Sequence, residues 1–390
     1  MLKPFKFAGI PKIHFKNGII SDLPRLVTSY GCKIILVTGK SSFVESIKAE
    51  KLFDDFETAG IEYHLISIHG EPSPEDIDIA VKKFNNKDIN LVVGIGGGSV
   101  LDAGKAISAM INKSESVVEF LEGVGTKDHP GTKLPFIAIP TTSGTGSEAT
   151  KNAVISQIGS DGFKKSLRHD NFVPDIALVD PELTLPCPKE ITAASGMDCF
   201  TQLTESYLSN KSSEYTDALA IEGIKAIRSS LSRSYADGQD IEARTGMSFA
   251  ALTSGICLAN AGLGAVHGFA SSLGGRYNIP HGLVCGTLMA SANEINVRKL
   301  REISSDSVAF KKYAFLGQLF LDEKGKTDNY YIDGFIEYLH KLTGDLNLPG
   351  LRKYGFKDVD LESICSGTEI KNNPVKLELE DLKEILIKRL

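Results

Sequence analysis

Asp198 and Gln202 lie four positions apart in the stretch ASGMDCFTQLTES, residues 194–206. Residues at positions i and i+4 of a helix share one face, with Cβ atoms about 5–6 Å apart. The pair could therefore bind one metal ion together. It could equally be two ordinary polar side chains near the start of a helix, and this segment alone leaves both interpretations open.

Two histidines further along the chain could complete a metal site. His267 and His281 are each followed by glycine within residues 264–286, whereas the other six of the eight histidines are interpreted as structural. Asp198 with two imidazoles is a ligand set that suits Fe(II) or Zn(II). The amide oxygen of Gln202 could act as a weaker, neutral fourth ligand. Spacing alone leaves a metal site and a structural role equally open.

A glycine-rich turn at residues 96–99 could bind a phosphate group. In the segment LVVGIGGGSVLDAGKAIS, residues 91–108, an apolar run is followed by three glycines, Ser99 and a helical pattern. Glycine lets the backbone approach a ligand, and the unpaired N–H groups at a helix N-terminus attract anions. The segment matches neither GxGxxG nor GxxxxGK[ST], and a turn without a ligand is the alternative.

A second loop, IPTTSGTGSEAT at residues 139–150, follows another apolar run. Its hydroxyl groups and glycines could bind the ribose and amide groups of a nucleotide, although a single loop of this kind is more often an ordinary turn. Open parallel sheets bind ligands at the carboxyl ends of their strands. Two such loops after neighbouring strands therefore favour a dinucleotide site.

The elements that must position these residues fall into two regions. Up to about residue 185, short apolar runs alternate with helical patterns, which is typical of a doubly wound α/β domain with a buried parallel sheet. From about residue 186, long helical patterns predominate. We predict an α/β dinucleotide-binding domain over residues 1–185 and an all-helical domain that binds metal and substrate over residues 186–390.

Composition narrows the class of protein. A chain of 390 residues is long enough for two domains. The net charge of −6 provides no basic surface for nucleic acid, and no run approaches the roughly 18–20 apolar residues of a membrane span. The six cysteines occur singly, without a CxxC pair, which favours the reduced thiols of a cytoplasmic enzyme.

Several motifs, in this order, resemble those of the iron-containing, or group III, alcohol dehydrogenases. They are GGGSxxDxxK (96–105), PTTxGTGSE (140–148), PDIALVDPEL (174–183), GMD (196–198), HG (267–268), PHG (280–282) and KNNPVKL (371–377). The resemblance runs from about residue 10 to the C-terminus. It implies a dehydroquinate synthase-like fold, an NAD(P)-linked alcohol dehydrogenase or aldehyde reductase with a divalent metal, and a homodimer or higher homo-oligomer.

Carried over by position, the resemblance also implies roles for individual residues. Asp198, His267 and His281 match metal ligands at which catalysis would take place. The positions that match nucleotide contacts are Gly97, Gly98, Ser99, Asp102, Thr141, Thr142, Thr145, Lys164 and Leu183. Among them, the two glycines with Ser99 would hold the pyrophosphate, and Asp102 would lie by the nicotinamide amide.

Two positions depart from the family pattern. Gln202 stands where the fourth metal ligand is normally histidine, and an amide oxygen is a poorer donor than imidazole to a late first-row metal. Ser271, four residues after His267, stands where many members carry a second histidine near the substrate. Because serine does not titrate near neutral pH, the proton path is left without an assigned base.

The turn after the first strand of the dinucleotide-binding domain bears on cofactor choice. Family members that prefer NAD often have a carboxylate there, whereas VTGKSS, residues 37–42, has Gly39 in that place. Lys40, Ser41 and Ser42 beside it suit a ribose 2′-phosphate. We therefore predict NADP in preference to NAD, with a solvated turn as the alternative.

Two other functions would account for parts of the same sequence pattern. A metal-dependent lyase of the dehydroquinate synthase type would share the scaffold, but the GTGSE and PHG motifs disfavour it. A nucleotide-binding relative that has lost catalysis would explain Gln202 and Ser271. The sequence favours the dehydrogenase because three ligand positions and both nucleotide loops are intact, and it indicates a small alcohol or aldehyde without specifying which.

Overall fold

The computed structural model describes residues 4–159, 162–303, 307–370 and 372–390, so Lys371, the first residue of the KNNPVKL motif, lies outside the described residues. Within those ranges the strands all precede the long helices of the C-terminal part. The strands are β1 (Lys12–Phe15), β2 (Lys33–Gly39), β3 (Glu62–Ile68), β4 (Leu91–Gly96), β5 (Phe136–Pro140), β6 (Asn152–Gln157), β7 (Phe163–Arg168) and β8 (Ile176–Val179).

A parallel sheet forms the centre of the N-terminal part. Its strand order is β1-β8-β5-β4-β2-β3, and β6 pairs with β7 in a separate antiparallel hairpin. Every residue of β4, β5 and β8 is buried, as expected for strands covered on both faces. The predicted parallel sheet is confirmed.

Helices cover both faces of this sheet. They are α1 (Leu23–Thr28), α2 (Ile47–Thr58), α3 (Pro74–Phe84) and α4 (Gly98–Met110). Alternate residues of β2 point to opposite faces, so Ile34 packs in one core with α1 and α2 while Ile35 packs in the other with α3 and α4. The doubly wound α/β class predicted from the sequence is therefore confirmed.

The C-terminal part of the described chain is helical, as predicted. Its helices are α5 (Lys189–Leu208), α6 (Glu214–Ala236), α7 (Ile241–Ala261), α8 (Ala265–Arg276), α9 (His281–Ile303), α10 (Val308–Phe320), α11 (Asp328–Asp345), α12 (Leu361–Ser366) and α13 (Leu379–Ile387). Helix α5 is buried along most of its length, between α6, α7 and α9. The boundary at residues 185 and 186 stays a prediction.

The helices of the described ranges differ from membrane-spanning segments in length and composition. No single helix there is long and apolar enough to cross a membrane. The pair α7 and α8 satisfies the length and composition limits only when taken together, and the two helices meet at an angle of 97°.

Candidate metal and nucleotide site

The glycine-rich turn and the second loop lie side by side at one edge of the sheet. The turn joins β4 to α4, and the loop follows β5, the neighbour of β4. A Cβ atom at Gly98 would lie 2.7 Å from Thr145 Oγ1, and one at Gly97 would lie 3.3 Å from Thr142 Oγ1. The backbone N–H of Thr141 donates to the Gly96 carbonyl at 2.9 Å. The glycines therefore allow the two predicted loops to form one surface.

This surface lies at the point where the strand order reverses. Strand β2 pairs with β3 on one side and with β4 on the other, so the connection between β3 and β4 crosses back over β2. Open α/β sheets bind ligands in the crevice beyond such a switch point. Gly39 ends β2 there, and the side chain of Lys40 directly after it is exposed, whereas Ser41 is half-buried. The glycine-rich turn, the second loop and the turn after β2 thus all lie at the carboxyl ends of neighbouring strands.

Asp102 and Lys105 connect α4 to the second loop. Asp102 Oδ1 accepts from Ser147 Oγ at 2.5 Å, and its Oδ2 accepts from the N–H of Val154 at 3.1 Å. The ammonium group of Lys105, which is buried, donates to the carbonyl oxygens of Ser147 and Asn152 at 2.9 and 2.7 Å. Burial lowers the pKa of Lys105 to about 8. Contact of Asp102 with nicotinamide stays a prediction.

Lys164 and Leu183, the other two predicted nucleotide residues, have different surroundings. Lys164 on β7 is nearly buried and forms an ion pair of 2.9 Å with Glu71. A Cβ atom at Gly274 of α8 would lie 2.9 Å from the Lys164 side chain, so this lysine reaches the helical part. Leu183 packs into the core beneath the sheet. The predicted contacts of Lys164 and Leu183 with the cofactor stay predictions.

Asp198, His267 and His281 meet between α5, α8 and the start of α9. Asp198 Oδ1 is 3.3 Å from His267 Nε2 and 3.6 Å from His281 Nε2. Cys285 joins them, and donor atoms of all four residues lie within 4.8 Å of one another. A Cβ atom at Gly282 would lie 2.5 Å from the Ala194 carbonyl oxygen. The glycine after His281 therefore lets α9 begin against α5.

The spacing and chemistry of these donors fit a metal ion. A tetrahedral ion with donors at about 2.0–2.2 Å would hold nitrogen and oxygen atoms about 3.4 Å apart. Asp198 Oδ1 and His267 Nε2 are buried and have no hydrogen-bond partner. Leaving such groups unpaired costs about 1–3 kcal/mol each, and a shared cation would satisfy both. The residues present therefore fit the divalent ion that the sequence predicts.

Two of the three predicted ligands have protonation states that suit a cation. Burial alone would raise the pKa of Asp198, but the nearby imidazoles of His281 and His267 lower it to about 2. Burial lowers the pKa of His281 to about 4. An ionised carboxylate and a neutral imidazole are the forms that ligate metals. Burial would also lower the pKa of the third ligand, His267, but Cys285, Glu205 and Asp198 raise it well above its ordinary value, so a metal ion must displace a proton there.

Glu205 orients His267 and was not found from the sequence. Its Oε2 accepts from His267 Nδ1 at 2.6 Å, and its Oε1 accepts from the N–H of Val266 at 2.7 Å. This pairing keeps the proton on Nδ1 and leaves Nε2 free as a ligand, as in carboxylate–histidine–metal triads. The available signal was spacing, because Glu205 lies seven residues after Asp198 and therefore on the same helix face.

Replacing Glu205 should weaken metal binding without touching a donor atom. We expect Glu205→Ala to lower metal affinity about 10–100-fold, the usual cost of removing such an orienting partner. Glu205→Gln keeps an acceptor but loses the charge and should fall between the wild type and the alanine variant. Competition with a chelator measures both, and wild-type affinity in the alanine variant would refute the assigned role.

Gln202 bridges the helical part and the nucleotide loop. Its Nε2 donates to the Thr145 carbonyl at 3.0 Å and to Ser254 Oγ at 2.9 Å. Because a carbonyl can only accept, the first bond fixes which end of the amide is nitrogen. The oxygen is thus the only atom of this side chain that could bind a metal, and its predicted role as a ligand stays a prediction.

Ser271 lies one helical turn after His267 on α8. Its hydroxyl donates to the His267 carbonyl at 3.2 Å, a local bond within the helix. The serine is exposed and lies where the family resemblance would place a second histidine. The serine hydroxyl does not titrate near neutral pH, so Ser271 cannot replace a histidine as a proton carrier.

Comparison with known proteins defines the class to which this fold and site belong. The model of the iron-containing alcohol dehydrogenase family matches residues 11–181, and the C-terminal model of the Fe-containing alcohol dehydrogenase family matches residues 192–390. The chain therefore belongs to the iron-containing alcohol dehydrogenases, a family of oxidoreductases.

Individual relatives match over nearly the whole chain. The chain is 32% identical to the probable alcohol dehydrogenase EutG of Escherichia coli, over 94% of this chain and 89% of that protein. It is 31% identical to the NADPH-dependent butanol dehydrogenase of Clostridium saccharobutylicum, over 96% and 95%. The solved structure of alcohol dehydrogenase from Oenococcus oeni matches with a TM-score of 0.88 at 29% identity, over 99% and 100%.

Proposed function

We propose that this chain is a metal-dependent, NADP-linked alcohol dehydrogenase or aldehyde reductase. It would transfer hydride between nicotinamide and a small alcohol or carbonyl compound. The observation that carries the proposal is the meeting of Asp198, His267 and His281 beside the nucleotide loops. A Cβ atom at Gly144 of the second loop would lie 2.9 Å from Ser195 Cβ, one turn before Asp198 on α5. This close packing supports a shared site, because it brings the second loop next to the helix that carries Asp198.

The residues of the cluster divide the work of holding a divalent ion. When bound, the ion supplies a Lewis acid that polarises the substrate oxygen. Asp198 contributes negative charge, and His267 and His281 contribute neutral nitrogen donors. Glu205 fixes the tautomer of His267. The fourth position has two candidates, the amide oxygen of Gln202 and the sulfur of Cys285, and Fe(II) and Zn(II) both suit such a set.

The nucleotide would lie across the ends of β2, β4 and β5. Gly97, Gly98 and Ser99 at the start of α4 offer backbone N–H groups and the positive end of a helix dipole to the pyrophosphate. The residues proposed to line the rest of the nucleotide are Asp102, Thr141, Thr142, Thr145, Lys164 and Leu183. Hydride transfer requires nicotinamide and substrate to be held in contact, which a cleft between the two parts of the chain can provide.

The turn after β2 should set the preference for NADP. We expect Lys40→Ala to lower kcat/KM for NADPH about 10–100-fold and to leave that for NADH nearly unchanged, because a charged hydrogen bond to a 2′-phosphate is worth about 1.5–3 kcal/mol. Lys51→Ala, at another exposed lysine on the following helix, serves as the matched control. Equal losses with the two cofactors, or none, would argue against Lys40 as the phosphate contact.

Net hydride transfer distinguishes this proposal from its rivals. The purified chain, with its metal content measured, would be mixed with NADPH and a panel of aldehydes, and with NADP and the matching alcohols. A dehydrogenase changes the absorbance of the reduced nicotinamide in both directions. A lyase of the dehydroquinate synthase type gives no net change, and a relative that has lost catalysis binds nucleotide without turnover. Either of those outcomes would contradict the proposal.

Assembly and substrate range are further parts of the proposal. The similarity to an NADPH-dependent butanol dehydrogenase supports a small alcohol or aldehyde as substrate. A homodimer or higher homo-oligomer follows from the family resemblance alone, and light scattering on the purified chain would measure its mass. A monomer of 42.1 kDa would contradict it. The cytoplasmic location likewise stays a prediction.

A further inference from the structure

We propose that Cys285 supplies the fourth ligand of the metal site, through its sulfur atom. The inference rests on the proposed function, because it assumes that Asp198, His267 and His281 hold a divalent ion. Family resemblance places that fourth ligand at residue 202, where this chain has glutamine in place of histidine. The sulfur of Cys285 lies in the same cluster and would restore a strong fourth donor.

The geometry of α9 brings Cys285 to the cluster. Cys285 lies one helical turn after His281, so both side chains share one face of the helix. Its sulfur is 3.8 Å from His281 Nε2. Tetrahedral bonds of about 2.3 Å to sulfur and 2.0–2.1 Å to nitrogen would place these atoms about 3.6 Å apart. The two donors are thus close to the spacing that a single ion requires, without movement of the backbone.

Burial confines the sulfur to this position. Cys285 is buried against α5, where a Cβ atom at the next residue, Gly286, would lie 2.8 Å from the Cβ atom of Met197. The unpartnered Asp198 Oδ1 and His267 Nε2 belong to the same cluster. Three elements therefore bring oxygen, nitrogen and sulfur donors to one small volume from which solvent is largely excluded.

Gln202 is less suited to the fourth position because its amide nitrogen is anchored elsewhere and its amide oxygen is a weak donor. Ser254 Oγ donates its hydrogen to the Ala251 carbonyl at 2.8 Å, so it is an acceptor for the Gln202 amide. Together with the bond to Thr145, this anchors the glutamine to the nucleotide loop. Its oxygen is neutral and a weak donor, whereas a thiolate is anionic and binds late first-row metals strongly.

The proposed ligand set has consequences for charge and metal choice. On binding, the S–H bond of Cys285 breaks, the sulfur–metal bond forms and the proton leaves to solvent, with no change of oxidation state. Asp198 and the thiolate together then balance a charge of +2. Because thiolate ligands favour zinc among the candidate divalent ions, we expect Zn(II) to bind more tightly than Fe(II).

X-ray absorption spectroscopy of the full chain tests the proposal directly. After chelation and reloading with zinc, we expect one sulfur neighbour at about 2.3 Å, with the remaining neighbours nitrogen or oxygen. Cobalt(II) in the same site should show a sulfur-to-metal charge-transfer band. Both signals should disappear in Cys285→Ser. They should persist in Cys257→Ser, which changes another buried cysteine, and in Gln202→Ala.

The zinc affinity of the same variants is a second, independent test of Cys285 as a ligand. Removal of even an orienting partner costs about 10–100-fold in affinity, so Cys285→Ser should weaken zinc binding at least about 10-fold, and more than Gln202→Ala does. Zinc-loaded, active wild type without a sulfur neighbour would overturn the assignment of Cys285 and leave the proposed function standing. Wild type that holds no metal would overturn both. The X-ray absorption spectrum of the zinc-loaded wild type tests the assignment of Cys285 even if a variant fails to fold.

Discussion

Asp198→Asn is expected to abolish metal binding and to lower kcat by on the order of 1,000-fold. Asparagine has the same shape but lacks the charge, and Asp198 is the one carboxylate in the cluster that meets both His267 and His281. A Lewis acid contributes several kcal/mol to such a reaction, and each 1.36 kcal/mol is a factor of ten in rate. Metal analysis and steady-state kinetics measure the two effects.

The nucleotide loops should be unaffected by this change. We expect NADPH to bind Asp198→Asn within about two-fold of the wild-type Kd. If the nucleotide site is intact, the binding free energy of NADPH should differ between the two proteins by less than about 0.5 kcal/mol. Glu190→Gln, on the exposed first turn of the same helix, is the matched control and should retain metal and turnover. Stoichiometric metal and near wild-type kcat in Asp198→Asn would exclude Asp198 as a ligand.

Lys105→Met is expected to lower the free energy of unfolding by about 3–5 kcal/mol. The buried ammonium holds α4 to the second loop and to the start of β6 through four oxygen acceptors, and it lies 3.7 Å from Asp102 Oδ1. Removing one partner of a buried charge pair leaves the other without compensation. Because both nucleotide loops depend on this contact, NADPH binding should weaken together with stability. Urea denaturation followed by circular dichroism measures the first effect.

A solvent-exposed lysine provides the control for Lys105. Lys82→Met changes the same residue type on the exposed face of α3 and should shift stability by no more than about 0.5 kcal/mol. If the two variants unfolded at the same urea concentration, the buried network would not be the contact that joins the turn to the loop.

The class of fold was predictable because burial on both sides leaves a clear trace in sequence. Strands such as β4 and β5 are apolar throughout. A continuous apolar run of this kind is typical of a strand in a sheet that is covered on both faces. The glycines of residues 96–98 were predicted to serve a ligand. The structure adds that they also make room for Thr142 and Thr145, a packing requirement that no local pattern reveals.

The candidate metal cluster was predictable only in part. Asp198, His267 and His281 could be named because their residue types are typical ligands and because the motifs around them resemble a family. Glu205 and Cys285 were missed, since their relevance depends on how α8 and α9 dock on α5. The same holds for Gln202, whose bonds to Thr145 and Ser254 come from distant elements. Long-range docking of this kind has no signature in sequence spacing.

Removal and restoration of the metal tests the central claim most directly. The purified chain would be stripped with a chelator, assayed for NADPH oxidation with the best aldehyde found, and assayed again after addition of zinc or ferrous iron. A metal-dependent dehydrogenase loses turnover on stripping and regains it in proportion to the metal bound at one ion per chain, while NADPH binding persists. Full turnover by the stripped chain would contradict the proposed function.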